Sequence, residues 1–171
     1  DMILKHIKEN MSDALTDIRS DRNLVENLGL ATPVPREYFI AKNYTALQPP
    51  SVFIVCDDID FKKERGANHI NAVAHYGITA ISEAQTTEAA TRITWRYQAA
   101  LSQILDNVSL TNASDKLKLT VIVRNAEFSE DYEVSSKEGN PAKRWRKGVL
   151  LRCDVEFRDC LLYTSPSPRD V

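Results

Sequence analysis

Several features are scarce in this chain of 171 residues. Its three cysteines (Cys56, Cys153 and Cys160) show no CxxC spacing, which excludes a disulfide framework and a zinc knuckle. No apolar run approaches the roughly 18 residues that a membrane helix needs, and no basic-then-apolar signal segment opens the chain. An excess of one charge is missing as well. Against 24 Asp+Glu stand 22 Lys+Arg, a net charge of −2, which excludes a generally basic nucleic-acid-binding protein and leaves room only for a local basic patch. No GxxxxGK or GxGxxG loop is present to cradle phosphates, no GxSxG elbow marks a nucleophile, and no internal repeat is visible. What is present is ordinary globular composition, 43% hydrophobic and 27% charged. The length suits one domain, and these bounds together predict a soluble, intracellular protein with a single domain over 1–159.

The two ends stand apart from that domain. The chain opens Asp1-Met2, which points either to residues upstream or to a start at Met2. Cys160 to Asp170 reads CLLYTSPSPRD, a sharp break from the alternation before it. The string resembles the translation of a transposase sequencing adaptor, so 160–171 is expected to be a non-native tail and is set aside from fold reasoning. Arg169 and Asp170 cancel, so the net charge is unaffected.

Periodicity places the elements. Ile3, Ile7, Met11, Ala14, Leu15 and Ile18 recur at helical spacing with Lys5, Lys8, Glu9, Asp13 and Asp17 between them, predicting an amphipathic helix over 2–19. From Ser20 to Pro50 the pattern fades and Gly29, Pro33, Pro35, Pro49 and Pro50 interrupt it, predicting a long arm with a short strand at Tyr38-Phe39-Ile40. Val52 to Cys56 reads as a buried strand, followed by a charged connection from Phe61 to Asn68. Asn71 to Ser82 alternates, with Ala72, Ala74, Tyr76, Ile78 and Ala80 on one face. A second helix is expected from about Thr87 to Asn107, striped by Ile93, Tyr97, Ala100, Leu101, Ile104 and Leu105. Leu117, Leu119, Val121 and Val123 mark another strand. After a polar stretch from Ser129 to Pro141, Val149, Leu151, Cys153, Val155 and Phe157 mark the last. Strands clustered around two helices predict an α+β fold, a mostly antiparallel sheet with both helices packed on one face.

Candidate chemistry is thin. Asp57, Asp58 and Asp60 follow a buried strand, where carboxylates could hold Mg²⁺, but an acidic strand end entering a solvated loop explains them more simply. His69 and His75 are too far apart for the i, i+2 geometry of a strand metal site. Cys56 and Cys153 fall within apolar strand patterns and read as small buried hydrophobes. No catalytic, cofactor-binding or metal-ligating residue is therefore expected. One cluster stands out: Lys143, Arg144, Arg146 and Lys147 surround Trp145 just before the last strand. It suits a phosphate backbone with base stacking, an acidic protein surface with Arg and Trp as anchors, or a solvated junction. Trp95 lies off the stripe of its helix, either under a neighbouring loop or facing a partner subunit.

Several phrases carry a family resemblance: ALTDIRS closing the first helix, PREYFI, PPSVFIVCDDIDF, TWRYQAALSQILDN in the second helix, and the closing KRWRKGVLLRCDVEF. From Ile3 to Arg158 the chain resembles the tail terminator (tail completion, neck) proteins of long-tailed bacteriophages. The resemblance implies a small ring-forming structural protein of the virion, typically a hexamer, that caps the tail tube and joins it to the head connector. It implies no enzymatic activity and no cofactor. The implied partners are further copies of the chain, the tail tube protein and the connector or neck proteins, with DNA passing through the lumen and no membrane. The implied location is the tail or neck of the virion, assembled in the host cytoplasm. Expected interface residues are Tyr38, Phe39, Phe61, Trp95, Lys143, Arg144, Trp145, Arg146 and Lys147. Alternatives are another neck component such as a head-closure protein, a nucleic-acid-binding module using 143–147, and a metal-dependent enzyme using the three aspartates.

Overall fold

The computed structural model describes residues 1–26, 32–40, 48–62, 70–114, 117–134 and 143–159, with the side chains of 19–26 and 70 left aside. Its elements are α1 (Met2–Glu26), β1 (Glu37–Ile40), β2 (Ser51–Lys62), β3 (Ile70–Ala84), α2 (Thr87–Leu105), β4 (Ser109–Thr111), β5 (Leu117–Phe128), β6 (Tyr132–Val134) and β7 (Arg144–Asp159). The strands form one sheet in the order β1-β2-β3-β7-β5-β4, with β6 also paired to β7. The β1–β2 pair is parallel and the other pairs are antiparallel. The α+β expectation therefore stands.

Side-chain alternation decides which face is buried. Register aligns Ile54, Ile78 and Leu151 in one row, and Val155 with Ala74 and Val121 in another, all on the side that meets the helices. Against this face lies the stripe of α2: Ala90, Ile93, Tyr97, Ala100, Leu101 and Leu105 are buried. The stripe of α1 closes the same core with Ile3, Leu4, Ile7, Met11, Ala14 and Leu15. A smaller cluster of Phe53 and Ile81, with Phe39 and Val55 against it, occupies the opposite face. Thr86 caps α2 by accepting a hydrogen bond from the Ala89 amide at 3.1 Å, and the helix starts at Thr87, where the sequence places it.

Three expected boundaries need correction. The arm expected over 20–50 begins instead as helix, because α1 runs on to Glu26. No Pro or Gly interrupts the chain before Gly29, so backbone propensity carries the helix past the point where its apolar stripe thins. Residues 32 and 33 then cross α2, where buried Arg96 donates to Thr32 Oγ1 at 2.8 Å and Tyr97 Oη donates to the Pro33 carbonyl at 2.6 Å. Second, β2 does not end at Cys56 but reaches Lys62. A bulge between Cys56 and Asp58 absorbs Asp57, so that Asp58 pairs with His75, Ile59 with Ala74 and Phe61 with Ala72. Asp57, Asp58 and Asp60 thus lie on a strand and not in a loop, and so do Phe61 and Lys62 from the expected connection; 63–69, including His69, lies outside the described residues. Third, β7 begins at Arg144, so most of the basic cluster is within the strand. The expected tail, 160–171, is likewise outside the described residues.

Candidate assembly surface

The expected interface residues lie on different parts of the molecule: on β1, the end of β2, α2 and the start of β7. Tyr38 turns towards the helix-side core, and burial pushes its phenol up to about 12. Phe39 points to the other face, stacked on Phe53 with ring centroids 5.9 Å apart. Both aromatics of β1 are therefore half-buried in packing and are not free anchors. Phe61 and Trp95 do remain available, 58% and 45% exposed at the far end of β2 and on α2.

The basic cluster is engaged by acids. Arg144 and Arg146 both bind Glu83 of β3, at 2.6 and 2.7 Å, because register sets Glu83 opposite Arg146. Lys147 reaches Asp131 at 2.9 Å and Lys143 reaches Glu133 at 3.7 Å. Burial raises the Glu83 carboxyl, but hydrogen bonds from Arg144 and Arg146 outweigh it and hold the group below the usual carboxylate range. Each of the four cations thus has a carboxylate partner, with three carboxylates shared among them. The fold brings these acids in from β3, β6 and the residue before β6, none of them adjacent to the cluster in sequence.

The three aspartates do not gather round a common point as metal ligands would. Asp57 pairs with Arg152 at 3.6 Å, while Asp58 and Asp60 face His75 at 3.8 and 3.3 Å. Among the described residues no group of His, Cys, Asp and Glu has metal-binding geometry. Cys153 is buried and its thiol is pushed up to about 12 by that burial, leaving it a weak nucleophile. Cys56 is half-buried against the core.

Ile40, at the end of the arm strand, is 65% exposed. Sequence reasoning did not single out Ile59, Phe128 and Tyr132, each more than two-fifths exposed. Ile40 and Ile59 border a hollow of about 560 Å³ on the helix side of the sheet, with Met2, Tyr76, Leu119 and Phe157 in its wall. The signal for Ile59 was present in the sequence as the alternation Ile59-Asp60-Phe61, once a one-residue bulge is allowed. Two stretches of strand edge are also unpaired among the described residues. β1 covers β2 only to Ile54, and β4 with its flanking residues Val108 and Asn112 covers β5 only from Leu117 to Val121.

No protein-family model matches the chain. No curated protein matches it either. Among solved structures, the chain is similar to one in a structure described as "Virion of native gene transfer agent (GTA) particle". The identity is 18%, the match covers 80% of this chain and 90% of that one, and the TM-score is 0.40.

Proposed function

We propose that the chain is a structural protein of a phage-like virion, a tail terminator that caps the tail tube as a ring of its own copies and joins it to the head connector. The sequence phrases that resemble the tail terminators support this reading. The structural observation that carries it is a pair of unlike strand edges left unpaired among the described residues. One is the β2 edge beyond Ile54, flanked by exposed Ile59 and Phe61; the other is the β5 edge beyond Val121, ending at exposed Phe128. A ring requires two different complementary surfaces on each subunit, and an unpaired edge is a ready template for strand addition. Trp95 on α2 supplies a further apolar anchor of the type enriched at interfaces.

The partners on this reading are further copies of the chain, hexameric in the family resembled, together with the tail tube protein and the neck proteins. The paired cations of 143–147 are assigned no nucleic-acid role. Sedimentation velocity of the pure chain, alone and with isolated tail tubes of the parent particle, tests the proposal. A species several-fold above the 19.3 kDa monomer is expected in at least one setting. Phe61→Asp and Phe128→Asp should each abolish it while leaving a folded monomer. A monomer in both settings, or rings that tolerate both variants, overturns the reading.

A further inference from the structure

We infer that His75 is a proton-operated latch. Its imidazolium clamps the distal half of β2, from Asp58 to Lys62, to β7 across the intervening β3, and loss of its proton unfastens that half. The inference is independent of any role of the β2 edge in assembly.

The geometry begins with the register. His75 sits on the sheet face away from the helices, between Asp58 of β2 and Asp154 of β7 in one cross-strand row. Its Nδ1 lies 2.8 Å from Asp154 Oδ1 and its Nε2 lies 3.3 Å from Asp60 Oδ2, with Asp58 Oδ1 at 3.8 Å. Both ring nitrogens therefore face carboxylates. A neutral imidazole has one N–H and one lone pair, so it can donate to only one of them and turns its lone pair on the other. Only the doubly protonated ring donates at both nitrogens.

The remaining charges around the ring fit the same state. Arg124 of β5 binds the second oxygen of Asp154 at 2.6 Å and holds that carboxylate in place. One row along, Arg152 is taken up by Glu127 at 3.0 Å and by Asp57 at 3.6 Å, so its charge is compensated. The helices lie on the opposite face. Hydrogen bonds that the ring donates to Asp154 and then Asp60 raise the His75 pKa above its usual value, more than desolvation lowers it. Burial raises the Asp154 carboxyl, but its hydrogen bonds from Arg124 and His75 prevail and hold it low.

The latch adds to the ladder with β3, which among the described residues is the one strand pairing of this half of β2. That half pairs with β3 on one side, has no strand on the other among the described residues, and its helix-side residues Ile59 and Phe61 are 42% and 58% exposed. A group whose folded pKa is raised stabilises the fold fully below its unfolded value of 6.5 and loses that contribution as pH climbs through the folded value. The latch is therefore closed in mildly acidic solution and opens on the alkaline side.

Long-range ¹H–¹⁵N spectra of the imidazole, together with amide hydrogen exchange corrected for intrinsic base catalysis, test this in the full chain. Both His75 ring nitrogens should carry protons at pH 6, and the ring should titrate with a midpoint above 6.5. Asp154→Asn and Asp60→Asn should each lower that midpoint. Protection of the β2 amides from Asp58 to Lys62 should fall as pH passes the midpoint, while protection in α2 holds. His75→Gln should remove the step. If that variant does not fold, Asp60→Asn, at a carboxylate 78% exposed, should move the step to lower pH. A midpoint at or below 6.5 overturns the latch, as does a step that is the same in wild type and variants.

Discussion

Glu83→Ala separates a structural from an interactive role for the basic cluster. Glu83 is only 12% exposed in its side chain and accepts from Arg146, 25% exposed, and from Arg144, 56% exposed. The Arg146 bond is partly shielded and charge-assisted, worth about 1.5–3 kcal/mol. The Arg144 bond is open to water and worth about 0–1 kcal/mol. Truncation should therefore cost about 1.5–4 kcal/mol, which for a chain of this size lowers Tm by about 3–16 °C. Urea melts of the wild type, Glu83→Ala, Arg146→Ala and the double variant measure the loss and its coupling. Because the folded Glu83 carboxyl is held below 4.5, its contribution is present above that pH and is lost as pH falls through the folded value. The difference between wild type and Glu83→Gln should close over the same window. A loss under about 0.5 kcal/mol, with Glu83→Ala and Arg146→Ala strictly additive, would refute the pairing and return the cluster to free surface charge.

Two further outcomes follow from the core. Leu101→Ala, at a site with no exposure between the helices and the sheet, should cost about 3–5 kcal/mol in a denaturant melt; a loss under about 0.5 kcal/mol would place the α2 stripe at the surface. Tyr97→Phe removes the hydroxyl that donates to the Pro33 carbonyl at 2.6 Å and should cost about 1–2 kcal/mol, with faster proteolysis near residues 32–36; unchanged stability and cleavage would show that this bond does not tie the crossing segment to α2.

The periodic elements were legible in the sequence. The stripe from Ile3 to Ile18, the stripe from Ile93 to Leu105 and the alternation from Ala72 to Ala80 each identify an element and the face it buries. These patterns are local: a helix brings i and i+4 together, and a strand separates i from i+1, whatever lies elsewhere. The absence of phosphate loops, nucleophile elbows and cysteine pairs was equally plain from residue order alone.

Only the tertiary structure decided how the charges are used. Glu83 meets Arg144 across 61 positions of chain, and His75 meets Asp154 across 79. Such contacts depend on the register between strands that are distant in sequence, and one bulged residue changes every contact beyond it. The bulge at Asp57 is the clearest case. In the sequence Asp57-Asp58-Ile59-Asp60 reads as a strand end dissolving into a loop. In the fold the extra residue is absorbed, so Ile59 and Phe61 remain on the helix side and Asp58 and Asp60 turn to His75. A basic run is paired with acids from other strands, and an acidic run gains a histidine, because ion pairing follows distance in space while composition records only distance along the chain.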